Sequence, residues 1–381
     1  MKYREFGKTG WKSSVIGFRV MSLPESLSGN IDESESIDLI HYAIDRGINY
    51  LDTGCPYDMQ KHEVLARVTG KALKKGYREK VKVAATLPSL LIKTGDDFDR
   101  HLDKQLEMLD IDCVDYYIIG FLNRNTWTEL KNRKIFDHAD RALSEKRIRN
   151  IGFYMHDDFQ TLRNITAGYD NWVMAQFSYS IMDVNHHPGI GGIRFAGEKG
   201  LAVVVSDPLL GGRLIKNIPG TVSGVWKSDG KKRSPVESGL KWSWNSDEVS
   251  LVLCDMGSLQ EVEENTGYAE ESEAASIPVK EEILISRVRE AYQELRPIQC
   301  TACCCCMPCP VNLDVPRIFE IYNDSVIYND ISMGKYLYKY ELHDTETCID
   351  CGDCISKCPK EIPIYEWLEK ASELLSGIQG P

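Results

Sequence analysis

The chain has 381 residues, 43% of them hydrophobic and 27% charged, with a formal net charge of −12. It is too apolar to be disordered, and its longest apolar runs, such as 201–205, fall far short of the roughly 20 residues a membrane helix needs. An acidic chain without a basic stripe also argues against nucleic acid as a partner, because that binding rests largely on lysine and arginine contacts to phosphate.

From the N-terminus, short β-branched or aliphatic runs alternate with amphipathic ones. Strands are predicted at 14–18, 48–52, 81–86, 115–119, 150–153, 172–177, 201–205 and 249–254. Between the first two, Ile37, Ile40 and Ile44 share one face of a helix over 33–46, which Gly47 closes as a C-cap. Over 96–109, Phe98, Leu102, Leu106 and Leu109 recur at helical spacing. Eight strand–helix units in about 250 residues are the size of a (β/α)8 TIM barrel, so an α/β fold of that kind is expected over 1–280. A doubly wound open sheet is the alternative, but no Gly-x-Gly-x-x-Gly follows an early strand. The acidic, aliphatic-poor stretch 261–275 is expected to form a connector. A helix near 281–295 then opens a small helical C-terminal domain, 281–381. The first residues contain no apolar stretch of signal-peptide length, which makes a cytoplasmic location the expectation.

That C-terminal domain holds ten of the 13 cysteines, all between Cys300 and Cys358. In a reducing compartment such clustering indicates a metal site more often than disulfides. The run Cys348-x2-Cys351-x2-Cys354-x3-Cys358-Pro359 has the spacing of ferredoxin-type iron–sulfur ligation. Three thiolates on a tight loop hold three corners of a cube, and the fourth, followed by proline, serves the other cluster. A second run, Cys300-x2-Cys303-x2-Cys306-x2-Cys309-Pro310, is one residue shorter before its last cysteine. Two [4Fe–4S] clusters are therefore expected. One is held by Cys300, Cys303, Cys306 and Cys358, the other by Cys348, Cys351, Cys354 and Cys309. Structural zinc is the competing assignment for Cys-x2-Cys pairs. Cys304 and Cys305 are left over, and packing as small hydrophobes is expected of them. Iron–sulfur clusters pass single electrons, so a redox partner protein or a small electron donor or acceptor is implied; a purely structural staple is the alternative.

Other stretches carry a resemblance. Tyr3-Arg4-Glu5-Phe6-Gly7-Lys8-Thr9-Gly10, Asn49-Tyr50-Leu51-Asp52-Thr53 and Gly211-Gly212-Arg213-Leu214 resemble the aldo-keto reductases. Ile151-Gly152-Phe153 with His156-Asp157, Asp207-Pro208-Leu209, Ser234-Pro235 and Val262-Glu263-Glu264-Asn265 match as well. With Cys300-Thr-Ala-Cys303 and Cys306-Met-Pro-Cys309-Pro, the chain is similar to the bacterial and archaeal branch that carries a C-terminal ferredoxin-like extension. The resemblance implies NADP(H) across the barrel mouth and a tetrad of Asp, Tyr, Lys and His that reduces a carbonyl. Asp52 and Tyr57 match its first two members, Thr86 stands in the lysine position and Gly120 in the histidine position. Lys82 shares a strand face with Thr86, but four residues at about 3.3 Å each set it too deep to help. Cys55, Lys61 and His62 are expected to be solvated or fold-supporting, whereas His156 matches a family position.

For the cofactor, the resemblance implies Gln176, Ser206, Glu264 and Asn265 as contacts, with bulky Arg19 and Tyr154 at the nicotinamide berth. Arg19 either fills that berth or serves the cofactor's phosphate as a bidentate donor. Three functions follow. The first is an iron–sulfur oxidoreductase or electron-transfer protein on a scaffold whose carbonyl-reducing tetrad is degenerate. The second is an active NADP-dependent aldehyde or ketone reductase, and the third a non-catalytic docking or assembly module.

Overall fold

The computed structural model describes residues 1–26, 29–54, 59–184, 188–228, 230, 234–341 and 343–377. The chain divides into two compact units, Met1–Gly211 with Ser234–Ile277, and Gly212–Arg233 with Pro278–Pro381.

The first unit starts with an antiparallel hairpin, β1 (Tyr3–Glu5) and β2 (Lys12–Ser14). Eight parallel strands follow: β3 (Ile16–Arg19), β4 (Tyr50–Asp52), β5 (Lys82–Pro88), β6 (Val114–Leu122), β7 (Ile148–Met155), β8 (Trp172–Ser178), β9 (Ala202–Ser206) and β10 (Val249–Asp255). Pairing of β10 with β3 closes them into a barrel. Each overlaps one of the predicted strands, so the barrel replaces the open-sheet alternative. Strand ends differ most at the rim. There β6 continues to Leu122 through Phe121, at φ 53, and its register with β7 slips between Ile119 and Leu122. Such an irregularity is a bulge, which re-aims side chains at a barrel rim.

Side chains alternate inward along each strand, and Tyr50, Ala84, Tyr116, Met174, Val204 and Leu251 fill the interior. The hairpin supplies the floor. Phe6 stacks against Tyr116 at 4.8 Å, Trp11 at 5.3 Å and Tyr50 at 5.7 Å between ring centroids. Gly7 makes this approach feasible: at φ 55, a Cβ there would lie 2.4 Å from the backbone nitrogen of Ala202, where β9 begins.

The outer strand faces are covered by helices that read as amphipathic. Asp32 caps Glu33–Asp45 by accepting from the Glu35 N–H at 3.0 Å, and Gly47, at φ 98, takes the chain away from its end. One expectation fails here. The supposed connector 261–275 is largely the helix Leu259–Glu270, capped by Ser258, with Val262, Asn265, Thr266 and Ala269 buried. Its inner face is built from small and polar residues. Thr266 bonds its own helix backbone and also accepts from Arg46 at 3.3 Å, so burial does not demand large aliphatic side chains.

The second unit is helical, with Val279–Glu294, Val315–Ile327, Ile331–Tyr340 and Ile364–Leu375 around a core that includes Ile298, Leu313, Ile318, Phe319 and Leu368. The helix Gly220–Trp226 belongs to it too, burying Val222 and Trp226, although its residues fall inside the 1–280 expected for the barrel. Arg213 fastens the start of that segment, reaching Asp324 at 3.0 Å and Asp330 at 3.4 Å. Among the described residues no helix is long and apolar enough to cross a membrane.

Phe6 is fully buried at the centre of the aromatic floor. Phe6→Ala is expected to cost about 3–5 kcal/mol, the usual range for emptying a core aromatic site. Chemical denaturation checks this; a loss below about 1 kcal/mol would show that the floor collapses around the gap.

Candidate functional site

Barrel strands present chemistry at their C-terminal ends. Here β3 ends in Arg19, β4 in Asp52 and β10 in Asp255, and the register sets Arg19 beside both carboxylates. Asp207 follows β9. The Arg19 guanidinium donates from Nε to Asp255 Oδ1 at 2.9 Å, and from Nη2 to Asp255 Oδ2 at 2.5 Å and Asp207 Oδ1 at 2.8 Å. Ser178 donates to the other Asp207 oxygen at 3.3 Å. Burial alone would lower the Arg19 pKa, but the two carboxylates outweigh it and hold the cation well above its ordinary value. Burial likewise works against Asp207, whose carboxyl nonetheless stays below its usual range because of Arg19.

Asp52 is in a different position. It is 2% exposed; Oδ1 accepts from the Gly54 N–H at 2.6 Å, and Oδ2 has no partner among the described residues. Burial pushes its carboxyl up to about 6, against the pull of Arg19 and the Gly54 N–H, while Asp255 and Asp207 add to the rise. Thr86, in the lysine position, is buried and carries no charge to oppose this. Lys82 does not stand in: at the start of β5 it faces Asp115 at 3.3 Å, and Asp115 also meets Arg78 at 2.7 Å.

Gly120 lies on the bulged end of β6. His156 is half-buried just past β7, where its backbone N–H donates to Leu122 at 3.0 Å. Gln176 lies in β8 between Tyr154 and Val204; it is buried, and its Oε1 has no partner among the described residues. Tyr154 turns its ring edge-on to Phe121 at 5.2 Å. Ser206 is fully buried at the end of β9, donating to Phe177 at 3.3 Å. On the helix Leu259–Glu270, Asn265 is buried and Glu264 accepts from Gln260 at 2.7 Å. His62 is buried with both ring nitrogens unpartnered among the described residues, and burial pushes it down to about 4, so it is neutral near pH 7. Lys61 pairs with Glu25 at 2.7 Å. Tyr57 and Cys55 lie outside the described residues. The sequence reading overlooked Asp255, although its place at a strand's C-terminal end was a usable signal.

The cysteines of the second unit surround two cavities. One is lined by Cys300, Cys303, Cys304, Cys306 and Cys358. The other is lined by Cys306, Cys309, Cys348, Cys351 and Cys354. Each therefore gathers the four thiols grouped from the sequence, with Cys358 and Cys309 crossing between the motifs. Left-handed residues curl both loops: Ala302 and Cys304 in the first, Asp350 and Gly352 in the second. Burial raises the Cys300 and Cys354 thiols and pushes Cys306 up to about 12. Cys303 shifts down instead, because the Cys305 N–H, and then its S–H, donate to the sulfur. Among the described residues no three His, Cys, Asp or Glu side chains meet closely enough to hold a single ion. The donor set of each cavity, four soft thiols with a fifth nearby, fits a four-iron cluster.

Comparison with known proteins bears on the barrel. A relative from Arabidopsis thaliana, L-galactose dehydrogenase, is 25% identical over 296 residues, spanning 72% of this chain and 90% of its own. A probable aldo-keto reductase from Glycine max is 24% identical over 229 residues, 56% of this chain and 63% of its own, so the match spans less than two thirds of that protein. Among solved structures, the holo form of an aldo-keto reductase from Bacillus halodurans superposes with a TM-score of 0.62 at 22% identity, covering 76% of this chain and 97% of that one. An aldo-keto reductase from Klebsiella pneumoniae in complex with NADPH gives 0.61 at 17%, over 76% and 95% of the two chains. At such identities the structural likeness concerns the fold. The model of the aldo/keto reductase family matches residues 16–277, more than half of the chain. This chain is a member of the aldo/keto reductase family, with the oxidoreductase barrel of that family as its scaffold.

Proposed function

We propose that the protein is an iron–sulfur oxidoreductase that exchanges electrons with a redox partner protein or a small donor or acceptor, on a barrel whose carbonyl-reducing tetrad is degenerate. The observation that carries this is the sorting of the thiols: the four cysteines grouped for each cluster line one cavity, with Cys358 and Cys309 crossing between the motifs, while Cys304 also lines the first cavity and Cys306 also lines the second. Cys300, Cys303, Cys306 and Cys358 would hold one [4Fe–4S] cluster, and Cys348, Cys351, Cys354 and Cys309 the second. When bound, such clusters supply one-electron transfer, at potentials set by charge, hydrogen bonds to sulfur and exposure. Thiol-ligated clusters of this kind fit a reducing, cytoplasmic setting.

The barrel supports the same reading from the opposite side. In the family's tetrad a lysine beside the aspartate brings a phenol towards an acidity useful near neutral pH. Asp52 has no such lysine and its carboxyl retains a proton up to about pH 6. Arg19 directs its Nε and Nη2 N–H groups to Asp207 and Asp255.

A second reading, an NADP(H)-dependent aldehyde or ketone reductase, is favoured by one feature. Gln176 presents a buried, unpartnered acceptor oxygen in β8, suited to a carboxamide N–H. Under that reading Asp52, Tyr57 and His156 serve the substrate, and Gln176, Ser206, Glu264 and Asn265 the cofactor.

Anaerobically purified protein is expected to contain about eight irons and eight acid-labile sulfides per chain, with a paramagnetic signal on reduction. Zinc with no reducible centre would overturn the proposal. NADPH oxidation by small aldehydes or ketones that Tyr57→Phe abolishes would establish the second reading in its place.

The raised Asp52 pKa has a stability consequence. Folded Asp52 holds its proton up to about pH 6, whereas the unfolded carboxyl loses it near 3.8, so this residue's contribution declines as pH rises across that interval. Asp52→Asn is expected to stabilise the fold above pH 7 by up to about 3 kcal/mol, with the gain fading toward pH 4. Denaturation at pH 4.5 and 8 checks the sign; an Asn variant equally or more destabilised at pH 8 contradicts it.

A further inference from the structure

The first cavity has one thiol too many for a single four-iron cluster. Cys304 lines it alongside the four cysteines assigned as ligands, whereas no fifth cysteine outside the two ligand sets lines the second cavity. Cys304 also sits at φ 57, a left-handed conformation that favours glycine over a side chain with a Cβ. The turn thus carries a left-handed cysteine that lines the cavity and whose S–H donates to the Ala302 carbonyl at 3.5 Å. Cys305 behaves differently. It does not line the cavity.

We propose that Cys304 is a reserve thiolate for the first cluster, able to take over the iron corner assigned to Cys303. This rests on the iron–sulfur reading above and extends it to a residue with no place in the eight-thiolate assignment. Cys303 is the corner to exchange because it and Cys304 are chain neighbours and both exposed, whereas Cys300, Cys306 and Cys358 are partly buried. Exchange breaks the iron bond to the Cys303 sulfur and forms one to the Cys304 sulfur. The proton leaving the Cys304 thiol passes to the departing Cys303 thiolate, and no electron changes hands. Cys305, which does not line the cavity, remains outside the ligand set.

Alanine variants test this, because serine oxygen is itself able to bind iron. In the full-length protein, Cys303→Ala is expected to keep about eight irons and eight sulfides, with the first cluster's paramagnetic signal shifted. Cys303→Ala with Cys304→Ala is expected to fall to about half, while Cys303→Ala with Cys305→Ala keeps the full complement. Retention of the second cluster's signal shows in every variant that the unit has folded. A fall to half in Cys303→Ala alone, or in the pair with Cys305→Ala, overturns the role of Cys304. So does full iron in the pair with Cys304→Ala. Failure of the underlying reading is separate, since the unaltered protein would then lack eight irons.

Discussion

Neither cysteine cavity is complete without a thiol from the other motif. Cys358 comes from the later loop to the cavity of the earlier one, and Cys309 makes the reverse crossing. The two loops must therefore be docked before either set of four is assembled, and the docking is done by apolar packing. Val315 lines both cavities, and Ile318, Phe319 and Leu368 form the core against which Cys300, Cys306, Cys309, Cys348, Cys354 and Cys358 rest. With the helices Val315–Ile327 and Ile364–Leu375 between and beside the loops, burial sets the spacing of the sulfurs. Metal binding, where it occurs in such a unit, would be linked to folding, because ligation would strengthen only the arrangement in which both loops are seated.

Charge imposes a comparable constraint on the barrel mouth. Asp52, Asp207 and Asp255 end or follow three strands, and Arg19 ends a fourth. One guanidinium offsets one carboxylate and weakens the burden of a second; a third ionised group would leave a net charge of −2 in a buried setting. The protein relieves this by holding the Asp52 proton up to about pH 6. Removing Arg19 would strand two carboxylates, which is why that side chain, large as it is for the position, is structurally required once Asp207 and Asp255 are present.

The elements that could be read in advance are those with a strong period or a fixed spacing. All eight barrel strands and the helix Asp96–Leu109 follow from alternation and from the recurrence of Phe98, Leu102, Leu106 and Leu109. The helix Leu259–Glu270 was hidden, since its buried stripe of Val262, Asn265, Thr266 and Ala269 looks polar in composition. Nor did any pattern show that the segment carrying Gly220–Trp226, placed between β9 and β10, packs with the C-terminal helices; that is decided by Val222, Trp226 and Arg213 finding partners far along the chain. At the mouth, the substitutions Thr86 and Gly120 were legible individually. The pairing of Arg19 with Asp255 was not, because those residues are 236 apart in sequence and become neighbours only when the barrel closes.

That closure also explains how the mouth could change while the scaffold did not. The interior below it is held by Tyr50, Tyr116 and Phe6 at the floor and by aliphatic layers that include Val204, Leu251 and Leu253. Stability resides at the N-terminal floor and chemistry at the C-terminal rim, so substitutions at the rim need only balance one another electrostatically. Thr86 places no charge on β5, and Arg19 places a cation on β3, two strands away across β4. The replacement cation is close enough to lower the Asp52 pKa from what burial alone would impose, but it bonds to Asp207 and Asp255 instead. Arg19 thus balances part of the negative charge at the mouth, above the oxidoreductase scaffold of the aldo/keto reductase family.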